Sequence, residues 1–214
     1  MLTQITPFKN IDDAINKLVN SFPKLDNSWL LLSISDNGDI IAEKLSKKLN
    51  IVWSRLYIES IYCKLNIDCT IAMVSEFRDI VTDELLRDFF DIKKDALDNA
   101  IDVIYNTKLL PKLKKERNSE ELLKIDDNIR NIIFIDESVE TGLRIQCAMR
   151  SIEDRFDVNQ YLATPIIPDL IYTFFEADFD KIFYAEKPDI YTSVYDYYLD
   201  KIEENEDVIF NFDE

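Results

Sequence analysis

Four consecutive apolar residues, Ile132 to Ile135, end abruptly on two carboxylates, Asp136 and Glu137, and this junction constrains the fold more than any other stretch of the chain. The run is too short for a helix and well suited to a buried strand. Ser138, Val139, Glu140, Thr141 and Gly142 follow, and then Ile145, Ala148, Met149 and Ile152 recur at the offsets that make one apolar face of a helix. A second strand, loop and helix lies upstream. There Trp29 to Ile34 runs into Ser35, Asp36, Asn37 and Gly38, and Ile41, Ala42, Leu45 and Leu49 share a helical face. Strands that alternate with helices in this way predict an α/β fold built on a twisted parallel sheet flanked by helices.

In such a sheet, ligands bind outside the carboxyl ends of the strands, where a helix N-terminus offers unpaired N–H groups and a positive dipole end to an anion. Gly142 allows close approach of the backbone, and the Thr141 hydroxyl can donate a hydrogen bond. Asp136 and Glu137 can accept from sugar hydroxyls or share a divalent cation. A strand ending in paired acids also fits the second motif of P-loop ATPases, but that reading needs a GxxxxGK[ST] partner. The chain has only two glycines, Gly38 and Gly142, so the ATPase reading fails.

A length of 214 residues accommodates a single α/β domain with additions, and we read 1–214 as one domain. A mainly helical insertion is expected at about 79–125 and an acidic tail at about 200–214. The balance of 42 acids against 25 bases, net −17, argues against nucleic acid or an anionic membrane as partner. Histidine is absent, which removes Ser-His and Cys-His catalysis. Cys63, Cys69 and Cys147 form no CxxC pair, so a reducing, cytoplasmic setting is expected. Neither a signal peptide nor a membrane span is read from the sequence.

Elsewhere, Asn10 caps an expected helix to Asn20, and Ile51–Tyr57, Cys69–Val74, Val158–Thr164 and Lys181–Ala185 read as strands, the third ended by Pro165. Leu85, Leu86, Phe89 and Phe90 form one helical stripe, and Leu97, Ala100, Ile101 and Ile104 another. Leu170, Phe174 and Ala177 make one side of a helix over Asp169–Ala177. The basic run from Lys108 to Arg117, broken by Pro111, reads as a solvated connection or, functionally, as a mobile flap carrying positive charge to a phosphorylated ligand. The tyrosine-rich segment PDIYTSVYDYYLD reads as a packed cover, because no bases interleave its rings.

Taken together, LLLSISDNGDIIAEKLSKKLNI, NIDCTIAMVSE with Asp68 ahead of a strand, IIFIDESVETG and EKPDIYTSVYDYYLD occur in the order seen in one subgroup of predicted bacterial phosphoribosyltransferases, which the chain resembles from about Trp29 to Asp200. The third piece is the specific one. The resemblance implies the parallel α/β fold of that family with a hood over the strand ends, and transfer of ribose 5-phosphate from phosphoribosyl pyrophosphate to a base, with Mg²⁺ on the pyrophosphate. It also implies a ribose phosphate or nucleotide as small-molecule partner and a possible homodimer. Carried onto this chain, Asp136 and Glu137 hold the ribose hydroxyls as the catalytic pair. Ser138, Val139, Glu140, Thr141 and Gly142 cradle the 5-phosphate, and Asn37 and Gly38 meet the pyrophosphate.

Three departures stand against full transfer chemistry. Asp36, Asn37 and Gly38 occupy the place of an Arg-Gly-Gly loop, Glu59 and Ser60 that of an Arg-Lys pair, and Leu143 and Arg144 follow Thr141-Gly142 where a small residue and threonine are usual. Arg144 or the basic run could replace the lost charge. Two readings therefore stand: an active or altered phosphoribosyltransferase, and a nucleotide sensor or interaction scaffold that keeps the fold without the transfer.

Overall fold

The computed structural model describes residues 8–63, 66–117, 119 and 121–200. Five parallel strands make the central sheet in the order β2-β1-β6-β7-β8: β1 Trp29–Ser33, β2 Trp53–Arg55, β6 Asn131–Ile135, β7 Asn159–Ile166 and β8 Lys181–Glu186. Alternation along the strands divides the core into two layers. Leu31, Ile133, Ile135, Ala163 and Phe183 face α1 (Ile11–Val19) and α2 (Asp36–Leu49). Leu30, Leu32, Ile132, Phe134, Leu162 and Ile182 face α6 (Leu143–Glu153) and Phe175 of α7 (Asp169–Phe175). The α/β parallel-sheet architecture expected from the sequence is the one observed.

A three-stranded antiparallel sheet, β3 Ile58–Cys63, β4 Asn66–Ser75 and β5 Ile80–Thr82, carries the hood with α3 (Glu84–Phe89), α4 (Lys94–Ile104) and α5 (Leu110–Arg117). β3 went unrecognised in the sequence. Asp68 lies on β4; its side chain falls outside the described residues, as does the acidic tail. The hood has its own core, in which Ile61, Cys63 and Ile71 meet Leu97, Ile101, Ile104, Leu109 and Leu113. Glu76, with no exposed surface, ties this unit to the loop that leads back to the main sheet. Its carboxylate accepts from Tyr57 N–H at 2.9 Å, Leu123 N–H at 2.5 Å and Arg117 Nη1 at 2.6 Å.

Several expectations are corrected. The basic run is helical and not a solvated connection: a π-helical turn at Tyr105–Leu109, with Leu110 N–H bonded to the Tyr105 carbonyl, carries the helix past Pro111 into α5. Leu113 and Leu109 are fully buried, which fixes this face against β3 and β4. β7 does not stop at Pro165. Its pairing with β6 ends at Ala163, so the missing proline N–H costs no ladder bond there. The apolar side expected of the α7 helix is reversed: Leu170 is 80 % and Phe174 60 % exposed, while Phe175 fills the core. The α3 stripe is likewise split. Leu86 and Phe90 pack on the hood, and Leu85 and Phe89 are exposed. The tyrosine-rich segment is a packed cover as read, with Val194, Tyr197 and Tyr198 buried against Phe8 and Ile166.

Candidate functional site

The carboxyl ends of β1, β2 and β6 converge where α2 and α6 begin. The segment from Ser35 to Gly38, read as a loop, is the cap and first turn of α2. Ser35 adopts an extended N-cap conformation (φ −145°), and its Oγ accepts from Gly38 N–H at 3.0 Å. A serine followed by acids at positions 36 and 39 is the sequence signal for this cap. Gly38 is needed for packing: a Cβ there would lie 2.7 Å from the Ile135 carbonyl oxygen and 2.9 Å from Ser33 Oγ.

This close approach lets the first turn of α2 reach the paired acids. Ser35 Oγ donates to Asp136 Oδ1 at 2.5 Å, and Glu137 N–H donates to the same oxygen at 2.9 Å. Asn37 Nδ2 donates to Glu137 Oε2 at 2.6 Å, while the buried Thr164 hydroxyl donates to the Glu137 carbonyl at 3.2 Å. Asp136 and Glu137 are only 7 % and 8 % exposed. Desolvation raises both pKa values; Arg144 and Ser35 pull Asp136 back, and Asn37 pulls back Glu137.

The α2 end of the site carries positive charge from two further residues. Arg55, at the end of β2 and 7 % exposed, donates to the Ser35 carbonyl and pairs with Asp36 at 2.8 Å and Asp39 at 2.6 Å. Burial opposes its charge, but Asp39 and Asp36 outweigh this and raise its pKa. Lys112 of α5 reaches Asp36 at 2.9 Å and Glu59 at 3.6 Å. Partial burial pushes the Asp36 carboxyl upward, yet Lys112 and Arg55 prevail and hold it below the ordinary range. The positive charge at this end thus comes from β2 and the hood, and it is already engaged with Asp36, Asp39 and Glu59. Sequence reading pointed to the basic run that holds Lys112 but missed Arg55, whose role depends on a contact across elements.

At the other end, Ser138 bridges to Ile166, Val139 is buried in the main core, and Glu140 and Thr141 are exposed. Gly142 takes φ +79° as the residue before α6, and the Phe175 ring packs where a side chain would stand. The Thr141 hydroxyl accepts from Leu143 N–H at 3.5 Å. Tyr191 donates to Glu140 at 2.9 Å and lies 3.4 Å from Ser138 Oγ, a contact not anticipated from the sequence. Arg144, in the first turn of α6, reaches the Ile34 carbonyl at 3.4 Å and makes no ion pair among the described residues. The structure therefore gathers Asn37, Gly38, Asp136, Glu137, the 138–142 loop and Arg144 around one set of strand ends, while the side chain of Val139 serves packing.

The paired acids already accept from Ser35, Asn37 and the backbone, and among the described residues no three His, Cys, Asp or Glu side chains gather to hold an ion. No helix among the described residues is long and apolar enough to cross a membrane.

No family model and no curated protein sequence matches the chain. Among solved structures it is similar to TT1426 from Thermus thermophilus, at 15 % identity, covering 92 % of this chain and 93 % of that one with a TM-score of 0.69. A purine phosphoribosyltransferase from Pyrococcus horikoshii aligns over 92 % and 93 % of the two chains at 10 % identity and a TM-score of 0.48. A hypoxanthine phosphoribosyltransferase from Staphylococcus aureus aligns over 88 % and 79 % at 12 % identity and the same TM-score. The fold of TT1426 is the fold of this chain, with phosphoribosyltransferases among its more distant structural neighbours.

Proposed function

We propose that this chain binds the ribose 5-phosphate end of a nucleotide at the loop after Asp136 and Glu137, and that it does so as a sensor without transferring the ribose. The supporting observation is the asymmetry of charge across the strand ends. Arg144 stands in the first turn of α6, where it acts on Asp136 without a close ion pair among the described residues, beside the N–H groups of a helix start. At the α2 end, Asp36 occupies Arg55 and Lys112, so an incoming pyrophosphate meets cations that are already paired. In this reading, Thr141 and the backbone of 138–142 take the phosphate, Arg144 offsets its charge, and Asp136 and Glu137 receive the ribose hydroxyls by exchanging their bonds to Ser35 and Asn37. Mg²⁺ would enter only with a pyrophosphate ligand.

A second reading, an altered phosphoribosyltransferase, is favoured by one observation: Arg55 and Lys112 supply positive charge beside Asp36. Calorimetry with a nucleoside 5′-monophosphate, and separately with phosphoribosyl pyrophosphate and Mg²⁺, decides between the two. The sensor binds the monophosphate and releases no pyrophosphate from the second ligand when purine or pyrimidine bases are added. Release of pyrophosphate establishes the transferase, and failure of both ligands to bind leaves a scaffold. Where the monophosphate binds, Asp136→Asn with Glu137→Gln weakens it at least tenfold, and Cys147→Ala leaves it unchanged.

A further inference from the structure

Tyr198, in the tyrosine-rich cover, is 6 % exposed, and its hydroxyl is closed to solvent with no hydrogen-bond partner among the described residues. A phenol buried in this way ordinarily finds a partner, since an unmade bond leaves the cost of desolvation unanswered. Asp39 and Arg55 also carry a buried unpartnered atom, but they are ion-paired to each other through their other atoms. The cover brings Tyr198 against the loop after the paired acids. Phe8 and Tyr198 form a parallel bridge with their rings 5.4 Å apart, and both share a buried cluster with Ile166, whose backbone bridges to Ser138, the residue after Glu137. Thr164 Oγ1 closes the same corner, 3.2 Å from the Glu137 carbonyl and 3.0 Å from that of Ile166. Burial pushes the Tyr198 phenol up, and Glu137 and Tyr191 push it the same way, so the hydroxyl keeps its proton and stands as a donor. Tyr191 is itself engaged with Glu140.

We infer that Tyr198 is a specificity-determining residue of the strand-end site, its hydroxyl donating to a ribose hydroxyl that itself donates to Glu137, so that the site selects ribose phosphates over deoxyribose phosphates. The inference rests on the ribose phosphate reading of that site and adds the choice of sugar. A sugar hydroxyl both donates and accepts, so one group answers a phenol and a carboxylate at once. A deoxy carbon does neither and leaves Tyr198 as it stands in the free chain. Glu137 has accepting capacity beyond its bond from Asn37, because a carboxylate offers about four lone-pair sites. Since the Tyr198 hydroxyl is closed to bulk water, the sugar reaches it as the Asn37 bond at Glu137 exchanges. A site that hydrogen-bonds a ligand hydroxyl rejects the analogue lacking it, because its own buried polar groups are then left unpaired.

Calorimetric titration of the full chain with ribose 5-phosphate, and with its 2-deoxy and 3-deoxy forms, tests this in the parent, Tyr198→Phe and Tyr197→Phe. The parent should bind ribose 5-phosphate about tenfold or more tightly than one of the deoxy forms. Tyr198→Phe should lose about fivefold or more toward ribose 5-phosphate and less than about twofold toward that deoxy form. Its urea midpoint should stay level or rise, because an unanswered buried hydroxyl has gone. Tyr197, whose hydroxyl donates to the Ile190 carbonyl within the same cover, is the control, and Tyr197→Phe should keep the parent's preference. Equal affinity of the parent for all three sugars, undiminished affinity in Tyr198→Phe, or a loss that is equal across the sugars or matched by Tyr197→Phe would overturn the inference and leave the ribose phosphate reading standing. No binding of ribose 5-phosphate to the parent would remove that reading, and the inference with it.

Discussion

Gly142→Ala probes the turn on which the phosphate reading depends, and its cost divides into two parts. The backbone at Gly142 has φ +79°, where a Cβ costs about 1–2 kcal/mol. The same Cβ would sit 2.6 Å from Phe175 Cε2 and 2.8 Å from Cζ, overpacking of a kind that costs about 1–3 kcal/mol. Together these give a loss of about 2–5 kcal/mol in a urea unfolding experiment, a large share of the roughly 5–15 kcal/mol that holds a typical domain. The parts separate in a double-mutant cycle with Phe175→Leu. The smaller side chain relieves the contact but not the positive φ, so the cycle should recover about 1–3 kcal/mol and leave the rest. Gly38→Ala provides the contrast, because its Cβ would meet the Ile135 backbone carbonyl at 2.7 Å in ordinary helical conformation, a clash that trimming the nearby Ser33 and Ser35 side chains would not remove. A Gly142→Ala loss under about 0.5 kcal/mol, or strict additivity with Phe175→Leu, would refute this account of the turn.

Glu76→Gln replaces a buried acceptor of three separate donors and leaves Arg117 without its counter-charge; a loss of about 3–5 kcal/mol is expected by denaturant titration. Arg144→Ala should weaken nucleoside monophosphate binding by about 10–100-fold in calorimetry, the worth of a charge-assisted hydrogen bond. The raised pKa values of Asp136 and Glu137 mean that the folded chain keeps protons that the unfolded chain releases above about pH 4, so their contribution to stability is full below that pH and falls as pH rises through the folded values. Asp36, held low, acts in the opposite sense, its contribution being lost as pH falls. Urea midpoints followed upward from about pH 4 should therefore decline less steeply in Asp136→Asn than in the parent chain, and identical slopes would contradict the assigned burial.

Local pattern was enough to place the parallel strands, most of which are short apolar runs closed by polar residues or a turn, and enough to mark the two strand-loop-helix units and the paired acids of the second. The period-2 and period-3.6 signals are properties of neighbouring residues, and neighbours suffice to read them. What the sequence by itself did not reveal was which partner each side chain would take. The helical stripes of α3 and α7 are apolar on more than one side, and only packing against the hood and main sheet decided that Phe90 and Phe175 turn inward while Phe89 and Phe174 face water. The sequence offered Arg144 or the basic run as an answer to Asp36, and only tertiary structure decided that Arg55 from 19 positions away and Lys112 from 76 meet it. Ion pairing across elements and the burial of Asp136 depend on which surfaces meet after the chain has folded, and those distances are set by the whole sheet and hood.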